Sequence, residues 1–263
     1  MVITDRISRH TLLFVKNFLN RNTSCQEVLF VAGMQRSGTN MLMDVLERSV
    51  VTDVYHEWDN RAFTNYQMKE RSVIRGLLGQ SRGDVFVIKA LCELQDLTEL
   101  MADFKSSKTV WIFRQYQDVV NSMVRSFGNM NKQIIRLAED PDSEAWLGKG
   151  MSQETHNYLI EMVTPGISLA SASALQWYIR NILFFEQSFD DNERVLPIIY
   201  ENLVKNTGNE CKRMLEFLGV EYSRRIVSKI HSGSVGKRGK VQVDDDINAL
   251  CLSLQQKIDG LFV

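Results

Sequence analysis

Cysteine is scarce and scattered. Cys25, Cys92, Cys211 and Cys251 lie far apart, with no Cys-x-x-Cys pair and no ladder of histidines near them. This spacing excludes a disulfide framework and a cysteine-ligated zinc site, and it implies reduced thiols used for packing. Charge of one sign is also missing: 31 Lys and Arg stand against 32 Asp and Glu, a formal net charge of −1. That balance argues against general binding of nucleic acid or anionic membrane, while leaving room for a local basic pocket. No apolar run approaches the ~18 residues of a membrane span. Near the N-terminus the run Leu12, Leu13, Phe14, Val15 is too short for a signal-peptide core, and with Ile7, Phe18 and Leu19 it reads as one face of an amphipathic helix. The expectation is a cytoplasmic chain. There is no internal repeat and no low-complexity tract.

What is present is a regular alternation. The chain of 263 residues, 44% apolar and 24% charged, is long enough to bury a large core as one domain, 1–263. The run 28–33 (VLFVAG) is continuously apolar up to its glycine, as in a strand buried on both sides, and 51–55, 85–90 (VFVIKA), 109–113 (TVWIF) and 195–200 (VLPIIY) are further short strand candidates. Helical spacing follows most of them: Met41, Leu42, Val45, Leu46; Leu94, Leu97, Leu100, Met101; Tyr116, Val119, Val120, Met123, Phe127; and Cys211, Met214, Leu215, Leu218, stopped by Gly219. The fold class expected is α/β, a parallel β-sheet flanked by helices. Two stretches break the pattern. Residues 128–168, polar and containing Gly148, Gly150, Gly166, Pro141 and Pro165, read as a helical insertion or lid; 228–243 (SKIHSGSVGKRGKVQV) reads as a glycine, serine and lysine loop.

In such a sheet ligands gather at the carboxyl ends of the strands, and four motifs fall there. The first is GMQRSGTN at 33–40. A strand, a glycine turn and a helix start aim backbone N–H groups and the positive end of a helix dipole at one point, the chemistry of an anion site. Gly33 and Gly38 have the spacing of the ATP loop G-x-x-x-x-G-K-[ST], but Thr39 stands where its lysine belongs and Asn40 where its magnesium-binding hydroxyl belongs. The positive charge has moved to Arg36, flanked by the hydroxyls of Ser37 and Thr39. The second motif is VFVIKAL, where Lys89 ends an apolar strand, a costly position for a charge unless it enters a polar site. In the third, FRQYQDVVNS, Arg114 ends a strand and Ser122 follows eight residues later; an arginine there is a fork for phosphate or carboxylate. In the fourth, VYHEWDNRAF, His56 and Glu57 follow the second strand, and either can serve as a general base.

Together these motifs resemble the sulfotransferases that use 3′-phosphoadenosine 5′-phosphosulfate (PAPS). QRSGTN is similar to that family's 5′-phosphosulfate loop, and FRQYQDVVNS to its 3′-phosphate element. FVIKA is similar to its strand ending in a catalytic lysine, VLPIIYENLVKN and LEFLGV to its "YE-L" and "FLGV" stretch, and HSGSVGKRGK to its nucleotide-covering loop. The resemblance implies a P-loop NTPase-like sulfotransferase fold and in-line transfer of a sulfuryl group from PAPS to an acceptor hydroxyl, leaving 3′,5′-ADP. On it, Glu57 removes the acceptor's proton, while Arg36, Lys89 and the backbone from Ser37 through Gly38 and Thr39 to Asn40 stabilise charge on the sulfuryl oxygens and the leaving phosphate. Arg114 and Ser122 hold the 3′-phosphate, Lys237, Arg238 or Lys240 closes over the nucleotide, and no metal is needed.

The pattern departs from the family at Gln35 and Asn40. It also departs after Lys89, where Ala90 and Leu91 replace the Thr-His of the aryl and steroid enzymes; a glutamate after the second strand is similar to the bacterial, carbohydrate and tyrosylprotein members. His56 is the alternative base. The acceptor implied is a small-molecule, glycan or lipid alcohol, and Trp58, Phe63 and Tyr66 are either packing or part of its pocket. Two other readings stand beside this one: a small-molecule P-loop kinase using ATP and Mg²⁺, and a non-catalytic nucleotide-binding protein.

Overall fold

The computed structural model describes residues 27–222, 239 and 241–262. The expected N-terminal helix, Cys25, Lys237, Arg238 and Lys240 lie outside them. In chain order the elements are β1 (Glu27–Ala32), α1 (Thr39–Glu47), β2 (Thr52–Tyr55), the short strands β3 (Phe63–Thr64) and β4 (Gln67–Met68), α2 (Arg71–Gln80), β5 (Val85–Ala90) and α3 (Leu97–Asp103). There follow β6 (Ser107–Phe113), α4 (Tyr116–Ser126), α5 (Met130–Glu139), α6 (Gln153–Met162), α7 (Leu169–Glu186), β7 (Val195–Ile199), α8 (Tyr200–Lys205), α9 (Thr207–Phe217) and α10 (Asp245–Asp259).

The five apolar runs form one parallel sheet in the order β2-β5-β1-β6-β7. The fold is the α/β class expected from the alternation. One boundary differs: Tyr200 does not end a strand but opens α8, and its ring lies against the loop after β1. Because β1 sits between β5 and β6, the loop that follows it emerges at the centre of the sheet's carboxyl edge, where the chain has turned first toward β2 and later toward β6.

Period-two alternation divides the strand side chains between two cores. Phe30, Phe86, Ile88, Trp111 and Phe113 enter one, packed under α4, α5, α7 and α10. Leu29, Val31, Val85, Val87, Val110 and Ile112 enter the other, packed under α1, α8 and α9. The 128–168 stretch contains α5 and α6, and its Met130, Ile134, Leu137 and Leu159 are buried in the first core. Helix α7 is buried nearly all round, as a central helix must be. Cys92, Cys211 and Cys251 are buried and free; burial pushes the Cys92 and Cys211 thiols up to about 12 and Cys251 higher still. Among the described residues no helix is long and apolar enough to cross a membrane.

The turn after β1 requires glycine. Gly33 has φ +136°, and a Cβ there would stand 2.5 Å from the Ile112 carbonyl oxygen, a backbone atom that cannot swing away. Gly33→Ala is therefore expected to lower unfolding stability by about 2–4 kcal/mol, combining strain and overpacking. Gly76→Ala, where a Cβ within α2 meets nothing, is expected to be neutral or to stabilise by up to about 1 kcal/mol. Urea unfolding of both variants checks the pair; equal midpoints would contradict the packing described.

Candidate active site

The loop from Gly33 to Gly38 is shaped by close packing beneath it. Gly38 has φ +104°, and a Cβ there would fall 2.4 Å from the Tyr200 ring. Arg36 is itself left-handed, with φ 70°, which costs a non-glycine residue free energy, and the Ser37 N–H closes the turn on the Met34 carbonyl at 3.2 Å. No side chain caps α1 at Gly38, so the first-turn N–H groups point into the loop. Ser37 is fully buried, and its Oγ has no hydrogen-bond partner. A buried hydroxyl left unpaired carries a cost that an anionic oxygen placed in the loop would offset. The donor set fits a phosphate or phosphosulfate.

Lys89 lies beside Val31 in the β5–β1 register and shares the parity of Val85 and Val87, so it projects toward α1. It is 1% exposed. Its Nζ donates to Asn40 Oδ1 at 2.6 Å and forms an ion pair with Glu57. Burial lowers its pKa, and Glu57 opposes that shift. The register of Tyr55 with Ile88 is what brings Glu57, two residues past β2, to the lysine. His56 takes another direction: it is 2% exposed, stacked on Trp58 with ring centroids 4.2 Å apart, and its Nε2 is 3.5 Å from Glu47 of α1.

On the other side of the loop, Arg114 follows β6. Its Nη1 donates to the Arg36 carbonyl at 3.0 Å, and its guanidinium lies 4.4 Å over the Tyr200 ring. Asp118 and Glu201 stand at 3.8 and 4.0 Å. Trp177 Nε1 donates to the Arg114 carbonyl at 3.1 Å, fixing the backbone there. Arg36 Nε donates to Ser122 Oγ at 2.9 Å. The structure thus joins Arg36, Arg114 and Ser122 in one cluster, and Asn40, Lys89 and Glu57 in a second. Arg36, in the loop, and Asn40, in the first turn of α1, are four residues apart and link the two. Of the aromatic candidates, Phe63 is buried, whereas Trp58 and Tyr66 are 54% and 65% exposed.

Several contacts of this region are not visible in the sequence. Asn40 is expected to lend the loop a backbone N–H, not a side-chain acceptor to Lys89, and Tyr200 of the YE-L stretch is expected to end a strand, not to pack against Gly38. Glu201 is buried, accepts from the Gln115 N–H at 3.3 Å, and has its pKa raised chiefly by burial. Arg180 is fully buried in α7: its guanidinium donates to the carbonyls of Trp146 and Lys149 and to Gln95 Oε1, and burial pushes its pKa down to about 10. Glu93, just past β5, accepts from the Met68 N–H at 2.7 Å, which ties the β3–β4 hairpin to the end of the Lys89 strand. A lone arginine within the apolar pattern of 169–186 was the available signal for Arg180.

Residues 26–237 match the family described as "Sulfotransferase domain". No curated relative matches the chain in sequence. Solved structures of similar fold include the sulfotransferase domain from the curacin biosynthetic pathway, 14% identical, covering 90% of this chain and 99% of that chain, with a TM-score of 0.60. The sulfotransferase domain from the Synechococcus PCC 7002 olefin synthase is 11% identical, covering 90% and 96%, with a TM-score of 0.55. A sulfotransferase from Alicyclobacillus acidocaldarius is 13% identical, covering 90% and 96%, with a TM-score of 0.53. At these identities the structural likeness speaks to the fold.

The buried setting of Glu93 gives the site region a pH dependence. Burial raises its pKa from 4.5 to about 7. The folded state therefore holds this proton more tightly than the unfolded chain. That contribution is present in full below about 4.5 and is lost as pH rises through about 7. The penalty at high pH is about 3 kcal/mol. Thermal or urea unfolding between pH 5 and 8 is expected to show stability falling in the native chain and a flatter profile in Glu93→Gln. Identical profiles would contradict the assignment.

Proposed function

The chain belongs to the sulfotransferase family and is a sulfuryl-transfer enzyme, and we propose that it takes the sulfuryl group from PAPS and passes it in line to an acceptor hydroxyl, with Glu57 as general base. The observation that carries this reading is the junction of Asn40, Lys89 and Glu57. It brings a carboxylate, a buried ammonium and the helix start that closes the phosphate loop to one point at the carboxyl edge of the sheet. PAPS supplies the activated sulfur and a 5′-phosphate leaving group; the chain supplies position, charge and a proton acceptor.

The loop's N–H groups and the Ser37 hydroxyl bind the phosphosulfate, and Arg36 and Lys89 answer the negative charge that grows on it during transfer. An ammonium that is costly to bury gains when an anion enters beside it, so an arriving donor competes with Glu57 for Lys89. Glu57 released from that pair is the base for the acceptor's proton. Arg114 and Ser122, with the Arg36 side chain bonded to the serine, bind the 3′-phosphate that distinguishes PAPS from ATP. Thr39 and Asn40 remove the lysine and hydroxyl that an ATP–Mg²⁺ loop uses, and the transfer is read as needing no metal. We read 1–263 as one cytoplasmic domain with a lid at 128–168, and Lys237, Arg238 or Lys240 as covering the nucleotide. The exposed Trp58 and Tyr66 border the side from which a small-molecule, glycan or lipid alcohol would enter.

Transfer of label from PAPS into the host's own metabolite and glycan extract tests the reading. Glu57→Gln is expected to keep PAPS binding and to lose turnover by a factor on the order of 10² or more. Turnover unchanged by that substitution removes Glu57 as base and makes His56 the next candidate. Arg114→Ala is expected to weaken PAPS binding by about 10- to 100-fold, the loss typical of hydrogen bonds to a charged partner; undiminished binding would contradict its role.

A further inference from the structure

Helix α1 carries a second set of polar groups away from the phosphate loop. Asp44 and Glu47 are three residues apart, so one helical turn presents both carboxylates on the same side. His56, just past β2, completes a group in which one ligand atom from each of the three residues lies within 4.8 Å of the others. His56 Nε2 stands 3.5 Å from Glu47 Oε2, longer than an ordinary N–H···O bond. The ring is 2% exposed, and neither Nδ1 nor Nε2 has a hydrogen-bond partner. Stacking on Trp58 covers a face of the imidazole but gives its nitrogens nothing. A buried polar side chain left unpaired in this way calls for an explanation, and an ion is one.

We infer that Asp44, Glu47 and His56 bind a divalent first-row transition ion, with one carboxylate oxygen each from Asp44 and Glu47, His56 Nε2 as the nitrogen ligand, and water in the remaining positions. Ligand atoms about 2.0–2.2 Å from such an ion stand roughly 3–4 Å from one another, a spread that this group meets with small side-chain adjustment. One imidazole and two carboxylates suit Mn²⁺ or Zn²⁺; Ca²⁺ and Mg²⁺ favour all-oxygen shells. Two carboxylate charges and a neutral imidazole also balance the ion's charge without help from the phosphate loop.

The site has a consequence for geometry. Its ligands come from the helix that the phosphate loop opens and from the residue immediately before Glu57. A bound ion is therefore a clamp between the loop helix and the end of β2, holding Glu57 at a fixed distance from the loop. It takes no part in the bond changes at sulfur. Asp44 also acts electrostatically on Lys89, so neutralising it through the ion alters the field at that ammonium. The inference stands independently of the donor assignment, because ion binding is measured without nucleotide.

The test uses the full chain, stripped of metal by chelation and dialysed, then titrated with Mn²⁺ or Zn²⁺ by calorimetry, with Mg²⁺ as the control ion. One saturable Mn²⁺ or Zn²⁺ site per chain and no comparable Mg²⁺ site are expected. Asp44→Asn and Glu47→Gln, which alter side chains at or near the surface, are expected to weaken binding by on the order of 10-fold or more. The bound Mn²⁺ should show coupling to one imidazole nitrogen by pulsed electron paramagnetic resonance, lost in His56→Gln, with folding of that variant checked by thermal melting. No saturable Mn²⁺ or Zn²⁺ binding, or binding that Asp44→Asn and Glu47→Gln leave unchanged, overturns the inference.

Discussion

A lysine ammonium 1% exposed near the carboxyl end of an inner strand is the constraint around which this site is organised. Removing such a charge from water costs several kcal/mol unless close partners replace the lost hydration. Lys89 has two partners, Asn40 from the first turn of α1 and Glu57 from the segment after β2. Neither segment is fixed to the other by sheet hydrogen bonds. The buried charge ties them together, so the phosphate loop and the Glu57 carboxylate are held through the ammonium between them. The parity of β5 makes this possible: Lys89 occupies the face of Val85 and Val87, under α1, in place of a third apolar side chain.

The same economy governs the other flank. Arg114 makes its bond to the Arg36 carbonyl, and Arg36 bonds Ser122, so both ends of the cluster depend on a loop residue held in a left-handed conformation. That conformation survives because the loop has no space to relax into: Ile112 lies under Gly33 and Tyr200 under Gly38. The two cores on either side of the sheet make this floor rigid, since close-packed interiors resist small displacements. Preorganised donors of this kind act without rearrangement when charge develops on a bound group.

Much of this was legible along the chain, and the reasons are specific. The inner strands β1, β5 and β6 are buried on both sides and have no polar face, so they stood out as apolar runs, whereas the edge strand β2 holds Thr52 and Asp53 and stood out less. Lys89 was conspicuous because it interrupts one of them, and Arg114 because it ends another. The contacts that sequence does not show act across distance. Nothing near position 40 indicates that Asn40 receives Lys89, 49 residues away, and nothing near position 93 indicates the hairpin amide of Met68. Tyr200 was read as strand because local propensity favours it there, whereas packing against Gly38 made it the first residue of α8. Arg180 shows the reverse case, a charge hidden in an apolar helix, whose Nη1 donates to the Trp146 and Lys149 carbonyls, partners that no periodicity predicts.

On the function proposed, a loop built on Arg36, with Thr39 and Asn40 in place of lysine and hydroxyl, takes a nucleotide carrying a 3′-phosphate and needs no magnesium to do so. Titration calorimetry of the full chain with 3′,5′-ADP in the absence of added magnesium, set against ATP with Mg²⁺, measures this most directly. The account predicts saturable binding of 3′,5′-ADP, weakened by substitution of Arg114 or Ser122, and much weaker binding of ATP–Mg²⁺. Tight binding of ATP–Mg²⁺ with no binding of 3′,5′-ADP would contradict it.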